Sequence, residues 1–405
     1  MATQPVPAEV SAWRTALRRM PASVWALGFT SMFMDMSSEL VHSLLPVFMS
    51  TVLGTSMLTI GIVEGIAEAT ASITKVFSGV LSDRWNKRKS LVVFGYGLSA
   101  FTKPIFPLAS SIGWVAGARF MDRVGKGIRG APRDALIADI TPAEIRGAAY
   151  GLRQAMDSVG AVLGPIFAVG CMLLFANNIQ SVLWVGVVPG MIAVALLIGG
   201  VKEPDQVGSG SAKRIRMADL KELPSGYWLI VGLGAIFTLA RFSEAFLILR
   251  GQQAGMPLAY LPVVFIVMNV VYTAGAYPAG VASDKMSHTA LLLSGVAVLI
   301  AADLVLATAE GPASVLVGVA LWGVHLALTQ GLFSKLVADF APADLRGTAF
   351  GVFNLISGVA LLGGSVIAGG LWNYYGAPAT FYVGAAFAAA TAVGMGVYST
   401  LCRRA

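Results

Sequence analysis

Long apolar runs broken by short polar stretches organise the whole 405-residue chain. A helix needs roughly 20 apolar residues to cross about 30 Å of hydrocarbon. Runs of that size are centred near 24–48, 57–80, 90–110, 112–136, 147–174 and 181–200. They resume near 225–249, 259–282, 289–309, 313–337, 347–372 and 378–401. The pattern predicts an all-α membrane protein with twelve transmembrane helices in two six-helix bundles, 24–200 and 225–401. Between them, 201–224 is rich in Gly, Ser, Pro and charge and reads as a cytoplasmic linker. Its Arg-Ile-Arg-Met-Ala-Asp-Leu-Lys-Glu-Leu stretch fits a short amphipathic helix on the membrane surface. Residues 1–23 and 402–405 are expected to be cytoplasmic tails. The first run is too long for a secretory signal and lacks a cleavage site, so it counts as a retained span.

Composition agrees with this reading. Hydrophobic residues make up 56% and charged residues only 12%, where soluble chains carry about 25% charge. That excludes a disordered chain, a soluble nucleic-acid binder and a disulfide scaffold, for which Cys171 and Cys402 are too few. The net charge of +7 first has to be tested as a topology signal. With the N-terminus inside, most Lys and Arg fall in cytoplasmic segments and only Arg250 in an outer loop. Both termini are then cytoplasmic, in a bacterial-type inner membrane. The partners expected are the lipid bilayer and a small molecule, with no nucleic acid, and the protein is expected to be monomeric. Trp25, Trp114, Trp184, Trp228 and Trp372 lie near span ends and read as interfacial anchors.

The halves repeat each other. Ala-Asp-Ile-Thr-Pro-Ala-Glu-Ile-Arg-Gly at 138–147 recurs as Ala-Asp-Phe-Ala-Pro-Ala-Asp-Leu-Arg-Gly at 338–347, offset by 200 residues. Gly79-Val-Leu-Ser-Asp83-Arg84 recurs as Gly280-Val-Ala-Ser-Asp284-Lys285, and Ser38-Glu39 as Ser243-Glu244. Two parallel repeats with a site between them at mid-membrane are a transporter architecture. Gly79 would let helices approach, and Asp83 could accept from the amides at a neighbouring helix N-terminus. If that helix belongs to the opposite half, the contact acts as a latch in one state only. Arg146 and Arg346 mark the inner ends of spans five and eleven.

These residues resemble the major facilitator superfamily over essentially the whole chain. Gly79-xxx-Asp83-Arg84-xx-Lys87-Arg88 is similar to that family's signature between spans two and three, with Gly280, Asp284 and Lys285 as its weaker copy. Arg119 resembles the family's membrane-embedded Arg, and Gly151-x8-Gly160-xxx-Gly164-Pro165 resembles the antiporter signature of drug:proton exporters. The resemblance implies alternating access by rocking halves, and the antiporter pattern leans towards export.

Ionisable groups at mid-span are functional candidates because they are costly unless paired or hydrated. Asp35, Glu39 and His42 fall on one face of span one, Glu64 and Glu68 one turn apart in span two, and Arg119, Asp122, Arg123 and Lys126 in span four. Arg123, Lys126, Arg129, Arg133, Arg153 and Asp157 fit a structural or gating network, with Arg123 also a candidate for substrate contact. The second half offers Arg241, Glu244, Asn269, Tyr272, Asp303, His325, Gln330 and Asn354. For proton coupling, Asp35 or Glu39 with Arg119 comes first, and Glu64 or Glu68 second. A metal site from Asp35, Glu39, His42 and His325 is the weaker alternative. No nucleotide loop, nucleophile motif or complete metal signature is present, so an enzyme is not expected. Energy is expected from a proton gradient, with no cofactor. The leading expectation is proton-coupled efflux; the alternative is uptake or facilitated transport of an anionic solute, metal ion or chelate.

Overall fold

A computed structural model of the chain describes residues 17–85, 87–202, 222–342 and 345–402. These residues form helices separated by short turns. The first half comprises α1 (Ala22–His42, continued by Leu45–Val47 and a π turn at Phe48–Val52), α2 (Met57–Trp85) and α3 (Arg88–Thr102 with Ile105–Leu108). It continues with α4 (Ile112–Ile140), α5 (Arg146–Leu174) and α6 (Ile179–Val185 with Val187–Gly200). The second half comprises α7 (Ser225–Ala240 and Ala245–Gln253), α8 (Val263–Lys285), α9 (His288–Ala307), α10 (Pro312–Thr329 and Leu332–Phe340), α11 (Arg346–Tyr375) and α12 (Ala377–Cys402). Ten of these segments are long and apolar enough to cross a membrane. The other two are α1, which carries Asp35, Glu39 and His42, and α4, which carries a ladder of charges.

Three expectations need correction. Span one runs on past residue 48 to Val52, and span four extends to Ile140 rather than 136. The extra turn of α4 is held by partners: Arg88 bonds Asp139 and the Ala135 carbonyl, and Tyr150 Oη donates to the Asp134 carbonyl (2.9 Å). Spans seven and ten are each two helices. Ser243 Oγ accepts from Ala245 N (3.3 Å) at the α7 break, and Gly331 turns the α10 break at φ +75°. The N-terminal tail through residue 16, most of the linker with its amphipathic stretch (203–221), and residues 403–405 lie outside the described residues.

The backbones approach most closely through glycine, as small residues allow in membrane bundles. A Cβ at Gly160 or Gly164 of α5 would stand 2.3 Å from the Met32 carbonyl or 2.6 Å from the Met36 carbonyl of α1. Across the halves, a Cβ at Gly61 of α2 would meet the Ser365 carbonyl of α11 at 2.3 Å, and one at Gly369 would meet the Met57 carbonyl at 2.5 Å. Asn269 of α8 donates to the Ala161 carbonyl of α5 (3.2 Å), and Ser50 to Gln252 Oε1 (3.5 Å). These bridges gather away from the end that carries Lys87, Arg146, Lys285 and Arg346, here called the basic end. At the basic end, a Cβ at Gly147, Gly280 or Gly347 would meet nothing within 4 Å. The halves are thus joined at the far end.

Candidate functional site

Between the halves lies a cavity of about 440 Å³. The first half contributes Glu39, His42, Glu68, Ser72, Arg123 and Lys126; the second contributes Arg241, Glu244, Thr329, Ser334 and the rings of Phe237, Phe242, Trp322, Phe333 and Phe353. One wall is charged and the other largely aromatic. The α7 break places Arg241, Phe242, Ser243 and Glu244 on the wall together, and the α10 break places Gly331 there.

Behind the charged wall the ions pair. Arg119 donates to Glu64 through Nε (3.2 Å to Oε1) and Nη2 (2.7 Å to Oε2), with Glu64 at 0% and Arg119 at 2% exposure. Such a two-point pair offsets the desolvation of both charges, and removing one partner strands the other. His42 Nε2 is 3.5 Å from Glu64 Oε2 and its Nδ1 is 3.9 Å from Glu39 Oε2. The imidazole therefore stands between a cavity-lining carboxylate and the buried pair. Arg123 Nη2 meets Glu68 Oε1 at 2.8 Å.

A third pair involves a residue that sequence reasoning missed: fully buried Lys103 of α3 donates to Asp122 Oδ1 (3.0 Å) and Ser38 Oγ (3.1 Å). A lone Lys within an otherwise apolar span was the available signal. Asp122 is thus the partner of Lys103, and Arg119 of Glu64. Towards the basic end, Arg129 stacks 4.6 Å over the Tyr96 ring and donates to Ser99 Oγ, Arg133 donates to Ser31 Oγ (2.9 Å), and Arg153 bonds Asp157 as its spacing predicts.

Of the candidate binding residues, Glu39, His42, Glu68, Arg123, Arg241 and Glu244 line the cavity. Glu64 and Arg119 lie one layer behind it. Asp35 is half-buried one turn along α1, off the cavity wall. Asn269 is spent on the bridge to Ala161, and buried His325 donates from Nδ1 to the Gly295 carbonyl (3.0 Å). Tyr272, Gln330 and Asn354 are not on the wall either. The metal set does not assemble: His325 is held against α9 in the other half from His42, and no cluster of three or more His, Cys, Asp or Glu able to hold a metal occurs among the described residues.

The gating candidates divide. Gly160, Gly164 and Pro165 pack α5 onto α1 within one half. Gly79 faces Ala131 of α4 at an ordinary 3.6 Å, and Gly280 faces open space, so neither is the site of close approach expected of it. Arg88 is bound to α4 of its own half, whereas Lys87, Arg146, Lys285 and Arg346 are exposed. The side chains of Asp83, Arg84 and Asp284 lie outside the described residues.

Broken helices lining a mid-bundle cavity between two related halves define an integral membrane transporter that works by exposing one site to each side in turn. The profile of the Major Facilitator Superfamily matches residues 27–365 and 264–403, and the chain belongs to that family. It is 34% identical over 364 residues to an uncharacterised MFS-type transporter of Methanocaldococcus jannaschii, covering 88% of this chain and 90% of the relative. It is 25% identical to the inner membrane transport protein YajR of Escherichia coli, covering 91% and 81%. A mutant form of the nucleoside transporter NupG shares the fold at a TM-score of 0.79, with 11% identity, covering 92% of this chain and 99% of that one. The protein is a secondary transporter, not an enzyme.

Proposed function

We propose that the protein is a proton-coupled exporter of a small organic molecule, with Glu39 as the carboxylate that exchanges the proton. The observation carrying this reading is the chain from cavity to interior: Glu39 on the wall, His42 next, then the Glu64–Arg119 pair. A proton arriving at Glu39 passes to His42 once the 3.9 Å between them closes to hydrogen-bond distance, and the other imidazole nitrogen faces a carboxylate already held by Arg119. Protonation then alters the charge balance around Arg119 without stranding an ion. Asp35, the other expected coupling group, lacks this access. Export is favoured by the Gly160–Gly164–Pro165 pattern, whose glycines fix α5 against α1 beside Glu39.

The Lys and Arg distribution supports placing the basic end and both termini in the cytoplasm of an inner membrane. On that orientation the far-end bridges close the outer side, and the cavity faces inward. The reading needs no bound cofactor and no partner chain.

The test uses proteoliposomes and compounds first selected by thermal stabilisation of the purified protein. Gradient-driven accumulation is expected to vanish in Glu39→Gln while exchange of labelled substrate without a gradient persists. Full accumulation in that variant removes the assignment, and accumulation only under the opposite gradient replaces export by uptake. A second reading, transport of an anionic solute, is favoured by Lys126 and Arg241, which face the cavity from opposite halves without an ion pair among the described residues. Selective stabilisation by organic anions, lost in Arg241→Gln, supports it.

A further inference from the structure

Asp303 is a buried acid for which the cavity has no use. It lies in the last turns of α9, is 0% exposed, and neither carboxyl oxygen has a hydrogen-bond partner among the described residues. Its surroundings are tight: a Cβ at Gly384 of α12 would stand 2.8 Å from Asp303 Oδ2 and 3.0 Å from Phe242 Cε1. Phe242 lines the cavity, so the carboxyl group sits one ring behind the wall, beside the α7 break.

Charged groups on the elements around α9 are engaged elsewhere. From α7, Arg241 stacks on Phe237 and Glu244 faces the cavity, while Arg250 donates to the carbonyls of Leu306, Ala307 and Ala309. From α10, His325 is bound to Gly295, and Lys335 and Asp339 are exposed. Tyr272 of α8 packs at the core edge, and α12 carries no Asp, Glu, Lys or Arg from Ala377 to Cys402, its Tyr382 being exposed.

The internal repeat sharpens the point. At the 200-residue offset of the 138–147 and 338–347 segments, Asp303 corresponds to Lys103 and Trp322 to Asp122. In the first half those positions hold a neutralising ion pair. In the second half the cation has become an acid and its partner an indole, whose Nε1 is likewise without a hydrogen bond. A lone carboxylate in so apolar a site neutralises itself rather than bear the cost of its charge.

We propose that Asp303 is a proton-binding site of the C-terminal half, loaded with its proton in the conformation described here and separate from Glu39. Infrared spectroscopy of the purified full-length protein at neutral pH tests this without any substrate, so its outcome is independent of the flux assay. The expected result is a protonated-carboxyl carbonyl band that moves down in D2O and is missing from D303N. A spectrum in which D303N loses no such band overturns the proposal. Should D303N fail to fold, Gly384→Ala presses a methyl carbon on Oδ2 and is expected to shift that band. An unshifted band in a folded Gly384→Ala protein counts against the site equally.

Discussion

In the first half Arg119, Arg123 and Lys103 each meet a carboxylate; in the second, Arg241 meets a phenyl ring and Asp303 meets no hydrogen-bond partner among the described residues. The same contrast holds for the backbone. α1 runs unbroken through Ser38–Glu39 and α4 through Gly130, whereas their repeat mates α7 and α10 break at Ser243–Glu244 and Gln330–Gly331. A duplicated scaffold has been specialised into a charged, continuous wall and an aromatic, interrupted one. Paired ions hold the first wall in place, while the breaks in the second put polar residues and rings directly against the cavity.

This contrast can be tested from its strongest point downwards. Arg119→Ala strands Glu64 in the interior and is expected to destabilise the protein by about 3–5 kcal/mol, read from denaturant unfolding in detergent. Lys103→Met should cost a similar ~3–5 kcal/mol through stranded Asp122, yet Lys103→Met with Asp122→Leu should recover most of it. A double variant as unstable as the single one would mean that the pair does more than cancel charge. Gly61→Leu pushes against the Ser365 carbonyl and is expected to cost about 1–3 kcal/mol. It should also slow cross-linking of cysteines placed at Ser50 and Gln252, whereas Gly280→Leu, which meets open space, leaves that rate unchanged. The smallest effect is expected for Arg241→Ala, about 0.5–1 kcal/mol for a cation resting on Phe237. A loss as large as that of Arg119→Ala would erase the distinction between the halves.

Much of the bundle was legible in the chain because span length and repeat spacing are set by bilayer thickness and duplication. The α5 boundary, predicted at 147–174, falls at Arg146–Leu174. The α10 break carried a mark in Gly331, but the α7 break did not: Arg241-Phe-Ser-Glu244 holds neither Pro nor Gly, and at the break Ser243 N donates to Ser365 Oγ of α11 (3.1 Å). Charged residues at mid-span stood out by their cost, and Glu39, His42, Glu68, Arg123, Arg241 and Glu244 among them line the cavity. Which acid each base would choose was beyond reach, because pairing across α2, α3 and α4 depends on helix rotation rather than on spacing along one helix. Lys103 was marked in the chain as a lone charge in an apolar span, but its partner was not, and Phe242 reaches the wall through the same unmarked break.

The backbone seam at Gly160 and Gly164 has a mechanical consequence. With carbonyls of α1 lodged where side chains would otherwise stand, α1 and α5 cannot slide past one another and must travel as a single strut. Glu39 rides on one member of that strut, and the other grips α8 through Ala161 and Asn269. The carboxylate and the contact with the second half are thereby carried on one rigid unit.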